Sequence, residues 1–355
     1  MARHESWELK QMQAVPLQGK ITMTKVRIRQ WYDYWDGNVY VSFSGGKDST
    51  VLKHIVDSMY DDVPAVFVNT GLEYPEIQQF VMKLKSGQYD CFNSDVEILR
   101  PEMRFDEVVK QYGYPVVSKE NSLYIRQCQN RTVNNEMTYR LRTEGIRSDG
   151  VKVKKGKIPN KWMYLIDAPF RISEQCCDVM KKKPAKQYGK STGRKPFVGT
   201  MASESALRER NWMKTGCNAF ESKNPSSQPM SFWTEQDVLC YIKEYNVPYA
   251  SVYGDIVPTS GDEQIEGQLT TFDILGEYDG TLLKTTGCNR TGCIFCMLGC
   301  HLENEPNRFQ RLKETHPRQY EYCIGGGEYV DGKWQPSESG LGIGRVLDYI
   351  GVDYK

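Results

Sequence analysis

No run of about 18 apolar residues occurs in the chain, which excludes a conventional membrane-spanning helix and a membrane partner of that kind. The charged-then-apolar pattern of a secretory leader is also missing, so a cytoplasmic protein is expected. Net charge is nearly absent, with 46 Lys and Arg against 45 Asp and Glu. The pattern GxxxxGK[ST] does not occur, which excludes a phosphate loop of the Walker type. Cysteine is what the chain has in quantity, eleven in 355 residues. In a cytoplasmic chain they point to metal or redox chemistry rather than a disulfide framework. The length allows one large domain or two, with a sizeable core.

The stretch Val39–Tyr60, VYVSFSGGKDSTVLKHIVDSMY, organises the rest. Its apolar run Val39–Phe43 predicts a buried strand. Gly45 and Gly46 allow a tight turn and close approach of the backbone to a ligand. Ser49 and Thr50 are expected to cap a helix whose apolar positions are Val51, Leu52, Ile55, Val56 and Met59. Strand, glycine turn and helix N-terminus together direct backbone N–H groups at an anion. AVFVNT (65–70) predicts a second strand, followed by the helical GLEYPEIQQFVMKL. The βαβ unit implies a parallel sheet with a right-handed crossover. Ligands of such sheets sit at the carboxyl ends of the strands, which brings Asn69, Thr70, Gly71, Glu73 and Tyr74 to the edge that carries the glycine turn.

Residues 1–35 predict a helical lead-in, with Trp7, Val26, Ile28, Trp31, Tyr32 and Trp35 as docking positions. A third strand is expected at 94–99, a short helix at 105–112, a polar helical stretch at 119–142 and an exposed loop or hairpin at 145–163. From Arg147 to Lys195 fourteen Lys and Arg stand against four Asp and Glu. An excess of this size suits a polyphosphate or an RNA or DNA backbone, and equally a solvated lysine-rich insert. The stretch 229–253 predicts a helix capped by Thr234, with Val238, Leu239, Tyr241 and Ile242 facing the core and no chemistry assigned.

Two cysteine groups stand out. Cys176 and Cys177 are adjacent and cannot readily bridge each other. Cys288, Cys293, Cys296 and Cys300 follow the spacing C-x4-C-x2-C-x3-C, with His301 adjoining. Four thiolates suit structural zinc, and the first three match the spacing of a plant-type iron–sulfur site. Cys323 lies alone near the end of a helical tail.

Several of these segments carry a resemblance. SGGKDS resembles the loop of the PP-loop ATP pyrophosphatases, which implies that Ser44, Gly45, Gly46, Asp48 and Ser49 hold the β,γ-pyrophosphate of ATP. NTGLEYPE resembles the sulfonucleotide reductase branch, which includes phosphoadenosine phosphosulfate (PAPS) reductase; Asn69 stands where aspartate is more usual. ISEQCCDVMKKKP resembles the paired-cysteine segment of adenylylsulfate (APS) reductases, where the pair binds a 4Fe–4S cluster. FVGTMASESALRER is similar to the branch's G-x-R-A-x-E-S-x-x-R segment. Gly199, Glu204 and Arg208 keep their places, and Met201 replaces the usual arginine. The 229–253 stretch is similar to the branch's capped helix.

The resemblance implies an α/β fold of Rossmann-like type, a PP-loop parallel sheet flanked by helices with a helical or irregular cysteine-rich C-terminal part. The expected divisions are a lead-in at 1–35, a nucleotide-binding domain at 36–255 with a basic insert at about 145–195, and a cysteine-rich region at 256–355. It also implies a cluster on Cys176, Cys177, Cys293 and Cys296, with Cys288 or Cys300 able to replace one ligand, and zinc as the alternative metal. The C-terminal E-C-G-[LI]-H motif of the reductases is absent, and Cys323 in YCIGGGEY does not match it. An intact PP-loop with a cluster looks more like the sulfur-insertion enzymes. The implied reaction uses ATP and Mg²⁺, releases pyrophosphate from an adenylylated acceptor, and then inserts sulfur from a donor protein or sulfide. Lys47 and Asp48 would serve that step, and Cys300 or Cys323 would carry sulfur or attack it. The alternatives are a sulfonucleotide reductase releasing sulfite and a nucleotide-sensing iron–sulfur subunit.

Overall fold

A computed structural model describes residues 4–259 and 282–355, so the first three residues of the expected lead-in and 260–281 of the expected C-terminal region lie outside the described residues. The chain opens with helices α1 (Ser6–Gln13) and α2 (Leu17–Tyr34), then β1 (Val39–Phe43), α3 (Lys47–Asp57), β2 (Ala65–Val68), α4 (Pro75–Lys85) and β3 (Val96–Leu99). Helices α5 (Phe105–Tyr112), α6 (Lys119–Gln129), α7 (Glu136–Thr143) and α8 (Lys183–Thr192) follow. Next come β4 (Lys195–Val198), α9 (Ala206–Thr215), β5 (Asn218–Ala219), β6 (Ser226–Ser227) and α10 (Glu235–Glu244). The last part holds β7 (Ile256–Pro258), β8 (Leu283–Thr285), β9 (Glu328–Val330), β10 (Lys333–Gln335) and helices Arg308–Thr315, Pro317–Ile324 and Ile343–Ile350. No described helix is long and apolar enough to cross a membrane.

By internal packing the chain forms two units: Met1–Asn69 with Glu73–Arg100 and Pro184–Thr291, and Thr70–Leu72 with Pro101–Lys183 and Gly292–Lys355. This departs from the expected contiguous blocks at 36–255 and 256–355. The reason lies in the sheet. β1 pairs on one side with β2 and on the other with β4, so the chain must leave after β3 and return at residue 195 to complete it.

The first unit is built on a sheet of order β3-β2-β1-β4-β6-β5. All its pairings are parallel except the antiparallel edge strand β5. Central β1 is buried on both faces, which is why its sequence runs apolar without alternation. Val51, Leu52, Ile55 and Val56 of α3 are fully buried in the same core. From the lead-in, Leu9, Ile21, Ile28 and Trp31 join that core, whereas Trp7 and Val26 stay exposed. Their positions on α1 and α2 fall outside the buried stripe. Lys20 and Lys53 are also buried here, and each is paired: Lys20 with Asp237 at 2.6 Å and Lys53 with Asp57 at 2.7 Å. A buried ammonium without such a partner would be costly.

The second unit is mostly helical. The stretch expected to be helical over 119–142 breaks into α6 and α7, because Thr132 N–H donates to Asn135 Oδ1 at 2.8 Å and starts a new turn. The 145–163 segment makes a hairpin-like bridge between Ile146 and Lys152. Tyr114 is buried and donates its hydroxyl proton to the Leu341 carbonyl at 2.7 Å, tying the middle of the chain to its end. Ile343, Val346, Leu347 and Ile350 bury one face of the last helix.

Candidate functional site

Between β1 and α3 the chain turns through Ser44, Gly45 and Gly46. Gly45 has φ of +72°, and a Cβ there would lie 2.8 Å from Ile77 Cγ2. Conformation and space both demand glycine. The helix begins at Lys47 with Gly46 in the cap position, three residues before Ser49, the first of the expected caps Ser49 and Thr50. Ser49 instead closes the turn from inside: its hydroxyl donates to Gly46 O at 3.0 Å and accepts from Ser44 N at 3.2 Å. Gly199, just after β4, brings its Cα so close to the first turn of α3 that a Cβ would meet Asp48 O at 3.0 Å.

This turn forms one wall of a cavity of about 600 Å³ in the first unit. Ser44, Gly46, Lys47, Asp48, Ser49, Gly199, Glu204 and Arg208 all line it, so the glycine turn and the 199–208 segment, far apart in sequence, meet there. Gly45 shapes the turn without lining it. Asn69, Thr70, Gly71 and Glu73 are not lining residues. Thr70–Leu72 instead pack within the second unit, where the Leu72 carbonyl accepts from Ile294 N at 2.7 Å. Thr200, Met201, Ser203, Ser205, Glu235, Tyr253, Asn289, Arg290 and Thr291 complete the wall. Glu235 and Tyr253 come from the 229–253 stretch to which no chemistry was assigned. Asn289, Arg290 and Thr291 were masked by the cysteine spacing around them; an arginine between two metal-type cysteines was the available signal.

The cavity carries three cations and three carboxylates, and their pairing is specific. Lys47, only 5% exposed, places its ammonium 2.5 Å from Glu235 Oε1 and 2.8 Å from Asn289 O. The Tyr253 ring lies 5.3 Å from that ammonium, and the Tyr253 hydroxyl accepts from Lys47 N at 3.3 Å. Glu204 pairs with both Arg208 and Arg290. Burial pushes the Asp48 carboxyl above its ordinary range; Lys47 and Arg290 oppose this and Glu235 adds to it. Three cations at a glycine turn on a helix N-terminus can hold a polyanion, and the carboxylates can share a divalent cation with it.

In the second unit Cys176 and Cys177 open a helical run that passes through a π-turn at Asp178–Lys182 before α8. The Cys176 thiol donates to Cys177, which holds Cys176 in its neutral form; burial and the charges of Cys177, Cys296 and Cys293 act in the same direction. The Cys177 thiolate is favoured by that hydrogen bond and, against burial, by Lys119 and Lys181. These four sulfurs are thus electrostatic neighbours. Val117, two residues before Lys119, has φ of +59°, a strained setting for a β-branched residue. Its carbonyl accepts from Gly299 N at 2.8 Å, which fixes the cysteine segment beside α6. Arg308 donates to the Cys296 carbonyl at 2.9 Å. Among the described residues, no group of three or more His, Cys, Asp and Glu side chains is set to hold a single metal ion.

The remaining candidates are placed otherwise. Cys288 belongs to the first unit, its N–H bonded to Val252 O at 2.9 Å. Cys300 is buried, and burial pushes its thiol up to about 12. Cys323 is fully enclosed, and burial pushes its thiol well above the ordinary range. Neither is an accessible nucleophile in this conformation.

The chain is similar to adenosine 5'-phosphosulfate reductases. That of Anoxybacillus flavithermus is 21% identical over 263 residues, covering 74% of this chain and 86% of the relative. That of Staphylococcus epidermidis is 20% identical over 285 residues, covering 79% and 87%. Among solved structures, the phosphate complex of phosphoadenylyl-sulfate (PAPS) reductase from Candida auris is similar at 16% identity and a TM-score of 0.37, covering 63% of this chain and 80% of that one. The sequence profile of the phosphoadenosine phosphosulfate reductase domain matches residues 38–163 and 118–298, from the first strand of the sheet to the cysteine segment. The chain belongs to the phosphoadenosine phosphosulfate reductase domain family.

Proposed function

We propose that this chain is an ATP-using enzyme that adenylylates an acceptor oxygen, releases pyrophosphate, and then exchanges AMP for sulfur. The observation that carries this reading is the intact SGGKDS turn, folded as strand, glycine turn and helix N-terminus on the wall of the charged cavity. In the first step the acceptor oxygen bonds to the α-phosphorus and the bond from that phosphorus to the bridging oxygen breaks. Pyrophosphate leaves with that electron pair, and the acceptor proton goes to solvent. In the second step hydrosulfide forms a bond to the acceptor, and AMP departs with the oxygen. No net electron transfer is needed. Lys47 and the N–H groups of the turn stabilise charge on the departing pyrophosphate; removing one such contact typically costs about 10²–10³ in rate. Asp48 would help hold Mg²⁺, which when bound would supply positive charge for the phosphates.

The donor chemistry of Cys176, Cys177, Cys293 and Cys296 suits a 4Fe–4S cluster. Those four residues would hold it, Lys119 and Lys181 would offset its charge, and when bound it supplies iron able to bind sulfur. The exposed lysines 152, 154, 155 and 161 of the basic stretch fit an RNA or DNA acceptor.

A second reading, reduction of a sulfonucleotide to sulfite, is favoured by the relatives, which are adenosine 5'-phosphosulfate reductases. It requires an accessible thiol to attack sulfur, and burial of Cys300 and Cys323 weighs against it. An anaerobic assay offering ATP, APS and PAPS in parallel separates the two. Pyrophosphate from ATP, stimulated by RNA or DNA, is the expected result; sulfite without ATP cleavage would replace this proposal with the second reading.

A further inference from the structure

Of the three cations in the cavity, two are pinned. Lys47 is buried and held by both Glu235 Oε1 and the Asn289 carbonyl. Arg208 lies in the first turn of α9, whose N-cap Ser205 accepts from Arg208 N at 3.3 Å, and it pairs with Glu204, which immediately precedes that cap. Arg290 differs in exposure: its side chain is 56% exposed, against 39% for Arg208 and 5% for Lys47.

The segment that carries it, by contrast, is tied down on both sides of Arg290. Gly287 N and Cys288 N donate to the carbonyls of Tyr253 and Val252, each at 2.9 Å. The hydroxyls of Thr291 and Tyr253 are 2.5 Å apart. A long side chain therefore projects into the cavity from a rigid base, with little ordering left to lose when a ligand arrives.

Glu204 is built to let Arg290 go. Its Oε2 accepts from Met201 N at 2.9 Å and pairs with Arg208, whereas Oε1 pairs with Arg290 alone among the described residues. When Arg290 turns away, the carboxylate, only 10% exposed, still keeps two partners. Met201, beside Glu204 on the same wall, is apolar and packed in the core and adds no further cation.

We infer that Arg290 is the specificity-determining cation of this cavity: it leaves Glu204 and takes the oxyanion at the far end of the bound nucleotide. The inference rests on the nucleotide reading above. Guanidinium suits such a group because its fork donates two parallel hydrogen bonds. The oxyanion is a terminal phosphate in ATP and a sulfate in APS.

Calorimetric titration of the wild type, Arg290→Ala, Arg290→Lys and Glu204→Gln with ATP, APS and AMP tests this, with circular dichroism as the check on folding. Arg290→Ala is expected to weaken ATP or APS at least tenfold and AMP less than twofold, with Arg290→Lys in between. Loss confined to ATP identifies the group as phosphate, and loss confined to APS as sulfate. Glu204→Gln, which frees Arg290, is expected to bind the same nucleotide severalfold more tightly; no tightening overturns the exchange. Equal loss for AMP would mean that Arg290 only builds the wall, which overturns the inference. Wild-type binding that Arg290→Ala does not change overturns it alone, whereas a wild type that binds none of the three removes the nucleotide reading as well.

Discussion

The charged cavity of the first unit and the thiol group of the second solve opposite electrostatic problems. In the cavity each of the three cations already has a carboxylate partner, so an anionic ligand must exchange partners rather than fill a void. Around the thiols a single favoured thiolate stands beside two lysines. Cys177 is drawn toward its thiolate by Cys176 and two lysines, while Cys176 and Cys296 are held as thiols, the latter chiefly by burial. A site kept neutral by internal pairs suits a ligand that comes and goes. One that concentrates sulfur donors next to lysines suits a resident group that removes their protons.

The largest effect that would sharpen this contrast is expected from Cys177→Ser. If the second unit holds a cluster, anaerobically purified wild type contains iron and the variant loses nearly all of it, while ATP affinity in the first unit stays within about twofold. Equal iron in the two proteins would break the comparison. Next comes Lys47→Ala, which removes a contact to the departing pyrophosphate. Pyrophosphate release should fall about 10²–10³-fold with iron content unchanged, and an unaltered rate would exclude Lys47 from the chemistry.

The smallest effect concerns stability. Burial raises the Asp48 carboxyl, so the folded state takes up a proton more readily than the unfolded chain. The charged form therefore costs stability, and that cost develops as pH rises from the ordinary carboxylate range through the raised value. Asp48→Asn should raise the Tm of the ligand-free protein at pH 8, and the gain should shrink on acidification toward pH 4. A variant that is less stable than wild type at pH 8 would show that Asp48 is satisfied in the folded state and does not await a cation.

Much of the first unit was legible in the order of residues. The apolar run of β1, Gly45 at a positive φ and the spacing of Val51, Leu52, Ile55 and Val56 each predict the element that forms, because strand, turn and helix there follow from neighbours within a few positions. The cap on α10 is another such case, with Thr234 accepting from Asp237 N. The helix starts at Lys47 rather than after a cap at Ser49, because Ser49 satisfies the turn from inside it. Trp7 shows the limit of pattern reading: an indole in a lead-in helix invites burial, yet it lies on the solvent side of α1.

By itself the sequence determined the glycine turn, the parallel βαβ start and the candidate thiols, since local backbone freedom and side-chain period encode those. Only the tertiary structure decided which distant residues share a space. It drew 101–183 together with the C-terminal part, brought Glu235, Tyr253 and Arg290 to the wall beside Lys47, and enclosed Cys300 and Cys323. The physical reason is that burial and ion pairing depend on what packing brings within a few ångströms, and that is a property of the folded chain rather than of any short stretch of it.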